Sequence, residues 1–271
     1  MERFTGKVAI VTGGGNGIGL TIANRFAVER ARVVIADINA SAGVRTAEEI
    51  VNLGGEALSV PTDVTDEDQV ESLVEKVQDH YGRIDILVNN AGVSAHKLLV
   101  KMDRETWDRQ IEVQLTGPFL TIKHVGRQMM AQSGGRIVNI SSAASVMGRL
   151  KAGPHCASKG GLNMLTKVAA MELAEHGINV NAVAPGLIDV PSQREEINLS
   201  EEYKTSYLRQ VPLGRIGQPS DIANMVLYLC SSETEWITGQ LFLVDGGLMS
   251  GHYSFRGTHD FNMLYGHDRK E

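Results

Sequence analysis

The feature that most constrains this chain is a cluster of glycines near its start. Lys7 to Val11 is a short apolar run, Thr12-Gly-Gly-Gly-Asn-Gly-Ile-Gly19 follows, and Leu20 to Ala27 then carries apolar residues at helical spacing. The order is strand, glycine loop, helix. Glycines let the backbone approach a pyrophosphate closely, and the first N–H groups of the following helix point at its charge. Glycine clusters also mark ordinary turns, but this position, between a strand and a helix at the start of an alternating chain, favours a phosphate-binding loop.

The alternation continues. Arg32 to Ala36 reads as a second strand ending at Asp37. A carboxylate there, about twenty residues past the loop, can accept hydrogen bonds from both adenosine ribose hydroxyls and would repel a 2′-phosphate, which argues for NAD over NADP. The same side chain could instead cap the next helix, a task also open to Asn39 or Ser41. Ala42 to Leu53 has a helical pattern, and Ala57 to Val60 is a strand with Asp63 at its end. Asp66 opens a helix whose Val70, Leu73, Val74 and Val77 form an inward stripe. Ile84 to Val88 is a buried strand running into Asn89-Asn-Ala-Gly92. Four alternations call for an α/β fold, a doubly wound parallel sheet with right-handed crossovers and helices on both faces. Ligands on such sheets lie at the carboxyl ends of the strands, where Gly13, Asp37, Asp63 and Asn90 all fall.

Further along, Asp103 to about Met130 is a long helical stretch containing Gly117-Pro118. Proline frees the carbonyl four residues earlier, that of Gln114, so a backbone distortion is expected there. Arg136 to Ile140 is the fifth strand, Cys156 to Glu172 a long helix, and Ile178 to Ala184 the sixth strand, leading into Pro185-Gly186. The polar stretch from Leu187 to Pro212 suits a substrate lid over 190–212, or a solvated excursion. Pro219 to Leu229 is a helix and Gln240 to Val244 a final strand. The domain thus spans 1–247. The remaining 248–271 form an extension carrying Tyr253, Phe255, Phe261 and Tyr265, suited to covering a neighbouring subunit or the rim of the site, or else to partial disorder. Its His252, His259 and His267 are too irregularly spaced to suggest a metal site.

With 271 residues, 42% of them hydrophobic, the chain can bury a single core. A net charge of −6 and no basic run exclude the electrostatic footprint of a nucleic-acid binder and favour a small solute. Cys156 and Cys230 are too few for a disulfide framework and read as buried thiols in a reducing compartment. The first residues show no apolar signal region and no run approaches the ~18 residues of a membrane span, so a soluble, cytoplasmic protein without membrane contact is expected.

Between Ser142 and Lys159 a hydroxyl, an imidazole and an ammonium recur at spacings of thirteen and four, and His155 and Lys159 would share one helix face. From Lys7 to Gly247 these motifs resemble one family, the short-chain dehydrogenases/reductases, on a Rossmann-like single domain of about seven strands. The matching pieces are Thr12-Gly-x-x-x-Gly-x-Gly19, Asp37, Asp63, Asn89-Asn-Ala-Gly92, Ser142, Lys159 and Pro185-Gly186. The resemblance implies a nicotinamide cofactor held by Gly13, Gly17 and Gly19 at the pyrophosphate, Asp37 at the ribose, Asp63 at the adenine, Asn90 at the adjoining ribose region, Lys159 at the nicotinamide ribose and the Ile188 backbone at the carboxamide. It also counts Asn16, Ile18, Ile38, Val64, Ala91, Gly92, Pro185 and Gly186 among the cofactor-binding residues. It also implies a homotetramer built on the two long central helices.

Two positions depart from the family pattern. Its Tyr-x-x-x-Lys reads His155-Cys-Ala-Ser-Lys159, and the Asn expected in the central helix is Gln114, which in the family acts chiefly through its main-chain carbonyl in a water-mediated proton path. Ser142 still lies thirteen residues before His155 and twenty-eight after Gln114, so the register holds. Histidine carries protons near neutral pH, but its nitrogen lies roughly 2 Å closer to the backbone than a tyrosine oxygen, so a water must bridge or the substrate must sit deeper. Lys159 would also disfavour imidazolium. Neutral His155 accepts protons better than it donates them, which predicts that alcohol oxidation is better supported than carbonyl reduction.

Three readings compete. The favoured one is an NAD-dependent oxidoreductase acting on a small alcohol or ketone, with Ser142 polarising the oxygen, His155 carrying the proton, Lys159 anchoring the cofactor and Gln114 in the relay. The others are a non-redox enzyme using Ser142 and His155 for hydration, elimination or carbon–carbon cleavage, and a nucleotide-binding protein without dehydrogenase activity. The substrate pocket is expected to draw on Ser94, His96, Ser142, Met147, His155, Leu187 and the 190–212 excursion, a mixed surface that names no single substrate.

Overall fold

The computed structural model describes residues 2–190 and 201–251. Part of the expected lid and nearly all of the aromatic extension therefore lie outside the described residues. Seven strands form one parallel sheet: β1 (Val8–Thr12), β2 (Arg32–Asp37), β3 (Glu56–Pro61), β4 (Ile86–Asn89), β5 (Gly135–Ile140), β6 (Ile178–Pro185) and β7 (Leu241–Val244), in the order β3-β2-β1-β4-β5-β6-β7. The chain winds outward from β1 to β3 and then returns to place β4 on the other side of β1. That reversal opens a crevice at the strands' carboxyl ends.

The strands sort their side chains by alternation, as period two requires. Val8 and Ile10 of β1 join Val34 and Ala36 of β2 in one core, while Ala9, Val11, Val33 and Ile35 join the core on the opposite face. The first core is closed by α3 (Glu67–Tyr81), α5 (Gly117–Ala131) and α6 (Gly153–Leu173), through residues such as Leu73, Val125, Met129 and Ala170. The second is closed by α1 (Gly17–Val28), α2 (Ala40–Asn52) and α8 (Pro219–Cys230), with Ile22, Phe26, Ile50 and Val226. Each fully buried aliphatic side chain of this kind contributes about 1.5–3 kcal/mol of transfer free energy.

Helix starts follow local chemistry. Asn39 caps α2, its side chain accepting the Ala42 N–H at 3.0 Å, and Asp66 caps α3 by accepting that of Gln69. Asp103 caps α4 (Arg104–Ile111) through the Thr106 N–H at 2.8 Å. The expected helix from Asp103 to Met130 is interrupted as its proline demands: Glu112–Thr116 is a π-helical turn between α4 and α5, with Gln114 at its centre. A short α7 (Glu201–Leu208) follows the excursion.

Among the described residues no helix is long and apolar enough to cross a membrane. Cys230 is buried, and burial pushes its thiol pKa up to about 12, whereas Cys156, expected to be buried, is only partly so. It lies on the first turns of α6, where the helix emerges beside the crevice.

Candidate active site

A cleft of about 870 Å³ occupies the carboxyl ends of the strands. Its lining brings together the candidates from both halves of the sequence: Gly13, Asn16, Gly17 and Ile18 from the loop, Asp37 and Ile38 after β2, Asp63 and Val64 after β3, and Asn90, Ala91 and Gly92 after β4. Ser142, His155, Lys159 and Gln114 line it too, as do Pro185, Gly186 and Ile188 after β6. Gly19 does not line the cleft but fixes how the loop packs. A Cβ there would fall 2.1 Å from the Gly13 carbonyl oxygen, so any side chain would push the loop off the helix.

The loop is tied on both sides. Gly13 turns it with φ +63°, and the Asn16 side chain caps α1 by accepting the Gly17 N–H at 2.7 Å. One Asp37 oxygen accepts the Gly15 N–H at 2.9 Å and the other accepts the Asn39 N–H, also at 2.9 Å. Asn39 is the cap of α2, so Asp37 is left to brace the glycine loop and face the cleft. A Cβ on Gly15 would come within 2.9 Å of that same Asp37 oxygen, so the contact requires glycine.

Two of these residues also make hydrogen bonds within the protein. The Asn90 amide donates to the Thr12 and Gly13 carbonyls at 3.0 and 3.1 Å, and both donors are spent holding β4 to the loop. Only its oxygen and main chain remain for a ligand. Asp63 accepts from the Thr65 N–H and hydroxyl at 3.0 and 2.7 Å and lies 3.5 Å from Arg109. Burial pushes its pKa up, but the two Thr65 bonds and the guanidinium outweigh this and hold the carboxyl below its usual range. Asn89, at the end of β4, is structural: its amide donates to Asn139 at 2.9 Å and its oxygen accepts the Thr121 hydroxyl at 2.6 Å.

The proton-handling half centres on Gln114. Its amide nitrogen donates to the Val93 carbonyl, which fixes the amide's orientation and turns Oε1 inward. Oε1 accepts the Ser158 hydroxyl at 2.9 Å and lies 3.0 Å from His155 Nδ1. An amide oxygen can only accept, so Nδ1 carries the imidazole hydrogen and Nε2 carries the lone pair. Burial, then the Lys159 charge, then Arg149 and His96, lower the His155 pKa to about 4. The ring is neutral at physiological pH and its free nitrogen is a proton acceptor.

Lys159 stands one turn further along α6, 5% exposed, with Nζ donating to the Ile140 carbonyl at 2.7 Å. Burial brings its pKa down to about 8. Ser142 caps the short turn Ala143–Ser145 by accepting the Ala144 N–H at 3.1 Å, which leaves its own hydrogen to donate. Leu187 and Ile188 are held by Gly217: its N–H donates to the Leu187 carbonyl at 3.0 Å, and Ile188 pairs with it in an isolated bridge.

Among the lining or supporting residues that sequence reasoning did not name are Ser158, Arg109, Arg149 and Tyr207, whose hydroxyl accepts the Leu187 N–H at 2.7 Å. Ser158 carries a readable signal, since it lies three residues after His155 on one helical face. The other three reach the cleft through tertiary packing and carry none. Among the described residues no group of three or more His, Cys, Asp or Glu is arranged to hold a metal ion.

Comparison with known proteins decides the family. Residues 13–249 match a family model described as enoyl-(acyl carrier protein) reductase. The chain is 41% identical over 247 residues to the 3-oxoacyl-[acyl-carrier-protein] reductase FabG of Thermotoga maritima, covering 91% of this chain and 99% of that protein. This chain is a short-chain dehydrogenase/reductase. The FabG of Escherichia coli is 39% identical, over 91% of this chain and 98% of its own length. Among solved structures, a putative gluconate dehydrogenase from Agrobacterium tumefaciens superposes with a TM-score of 0.89 at 32% identity, over 92% of this chain and 98% of that one. A short-chain dehydrogenase/reductase from Mycobacterium marinum gives 0.87 at 34% identity, with the same coverage. The doubly wound single-domain fold and membership in this oxidoreductase family, both implied by the motifs, are thereby established.

Proposed function

We propose that this oxidoreductase uses NAD to oxidise a secondary alcohol to a ketone, with His155 in place of the family's tyrosine as proton acceptor. One observation carries the reading: the 3.0 Å contact between His155 Nδ1 and Gln114 Oε1 fixes the neutral tautomer whose free nitrogen can take a proton. The cofactor residues fit a dinucleotide, since the loop accepts no Cβ at Gly19 and the α1 N-terminus opens toward the cleft. Asp37 favours NAD, because a 2′-phosphate would meet its carboxylate, and no lysine or arginine among residues 38–41 offers compensation.

A nicotinamide held by the loop, Asp37 and Lys159 would supply the acceptor for the substrate's carbon-bound hydrogen as hydride. Ser142 donates its hydroxyl hydrogen to the substrate oxygen and fixes its position. His155 takes the hydroxyl proton, through a water or from a deeply seated substrate, because its ring is shorter than tyrosine. The resulting imidazolium, a strong acid at a pKa of about 4, passes the proton to solvent. The Lys159 ammonium stabilises negative charge developing on the oxygen and anchors the cofactor ribose.

Reduction, the reaction for which the FabG relatives are named, would need His155 protonated, and at neutral pH only about a thousandth of it is. Oxidation is therefore the better supported direction. The assembly proposed is a homotetramer through α5 and α6, whose outward faces carry exposed Phe119, Met164, Val168 and Met171. Screening alcohols with NAD while following nicotinamide absorbance tests the chemistry. Net NADH formation in the native protein, lost in Gln114→Leu by about 10- to 100-fold as the tautomer is released, is the expected result. Product formed without net NADH would show non-redox chemistry instead, and saturable binding of NADP equal to that of NAD would refute the cofactor assignment.

A further inference from the structure

We propose that Asn163 is a positioning residue for Ser142, clamping the turn that carries its hydroxyl to the cleft; this rests on the role given to Ser142 above. Ser142 leaves β5 and heads the short turn Ala143–Ser145, with its side chain in the cleft lining. A lone turn this tight has poor internal hydrogen-bond geometry. A group that must meet a substrate oxygen has to be held to about 0.5 Å, so the turn needs support from outside itself.

That support comes from α6. Asn163 follows Lys159 by four residues, so the two share one helix face, and both reach the end of β5. Lys159 Nζ donates to the Ile140 carbonyl at 2.7 Å. Asn163 Oδ1 accepts the Ser141 hydroxyl at 2.6 Å, and its Nδ2 donates to the Ser145 hydroxyl oxygen at 2.8 Å. Ser145 in turn donates its hydrogen to the Ser142 carbonyl at 2.5 Å, and its N–H meets the same oxygen at 2.9 Å. One half-buried amide thus grips the chain before and after Ser142 from the helix that carries His155. The hydroxyl that fixes the substrate oxygen and the ring that takes its proton share one frame. The direction of these bonds selects asparagine. Ser145 has spent its hydrogen and needs a donor, whereas Ser141 gives its hydrogen and needs an acceptor. A carboxylate of the same shape would draw the Ser145 hydrogen to itself and release the Ser142 carbonyl.

The test compares the native chain with Asn163→Asp, Ser145→Ala and the double variant, each with saturating NAD. Amide hydrogen exchange over residues 143–146 should quicken about tenfold or more in each variant, while exchange in the glycine loop and α1 stays as in the native chain. In parallel, kcat/KM for NADH formation from an alcohol should fall about tenfold with KM for NAD unchanged. The double variant should be no worse than the poorer single one, because both changes cut the same line of bonds. Unchanged exchange over 143–146, undiminished kcat/KM in a chain that forms NADH, or additive losses would each overturn the proposal. So would a drop in NAD affinity and melting temperature that matches the loss of activity, since that is the mark of a merely structural residue. Faster exchange confined to 143–146 in a protein that forms no NADH would support the clamp and refute the redox reading, so the two fail separately.

Discussion

At the scale of single residues, the site is governed by two displaced titrations on α6. His155 has a folded pKa of about 4 against an ordinary 6.5, so it must lose its proton early to act as a base. We expect kcat/KM for alcohol oxidation to rise through pH ~4 and stay flat through neutrality, measured as initial rates across a buffer series. In His155→Tyr the acid limb should move to higher pH, because a phenol must ionise to do the same work. Lys159 carries a stability cost of the same origin, burial of its charged form. Its folded pKa of about 8 lies below the ordinary 10.5, so the unfolded chain holds the proton more firmly between those values. Stability therefore rises as pH climbs from 8 to 10.5, and the full cost is present below 8. Replacing the charge by Lys159→Met should raise unfolding stability at pH 7 by about 1–3 kcal/mol in a urea titration, less than the full shift because the bond to Ile140 is lost, while abolishing turnover.

At the scale of elements, the decisive device is the π-helical turn Glu112–Thr116. Pro118 has no N–H to return to Gln114, and the turn that forms there puts the Gln114 side chain against His155 and Ser158. Pro118→Ala restores the missing donor and lets α4 and α5 run together as one helix. We expect kcat to fall by at least about tenfold while the melting temperature holds or rises, a split that separates positioning from stability. The sheet's polar interior has the same economy, with Asn89, Asn139, Thr121 and Thr166 linked in one buried hydrogen-bonded chain. Asn89→Leu would strand its partners and should destabilise by about 1–3 kcal/mol in the same titration.

At the scale of the whole molecule, the parallel sheet buries both faces and leaves apolar side chains on the outside of α5 and α6. Met164, Val168 and Met171 recur at helical spacing and are 58, 41 and 73% exposed. This stripe lies on the same helix as His155 and Lys159, so an assembly formed through it would adjoin the candidate site. We expect a tetramer by analytical ultracentrifugation, and dissociation to smaller species in the double variant Met164→Glu/Met171→Glu, whose like charges would meet across the interface.

Local chemistry determined much of this protein. The glycine loop, the strand-end Asp37 and the alternating periodicities are set by residues near one another in the chain, so the sheet, the crevice and the cofactor half of the site are legible in the amino-acid order alone. Pro118 likewise announces a distortion at Gln114, because a proline's missing donor acts four residues away. The rest depended on distance in sequence. That the Gln114 side chain, and not its carbonyl, would lock a histidine forty-one residues away required α6 to pack against the π-turn. That the Asn90 amide would be spent on holding the loop required β4 to lie beside β1. That Arg149 would reach the same cleft required the turn after β5 to fold over the strand ends. Hydrogen-bond partners and the shared burial that shifts a pKa exist only once packing brings remote segments together, and so only the tertiary structure shows which atoms of Gln114, His155 and Ser158 meet.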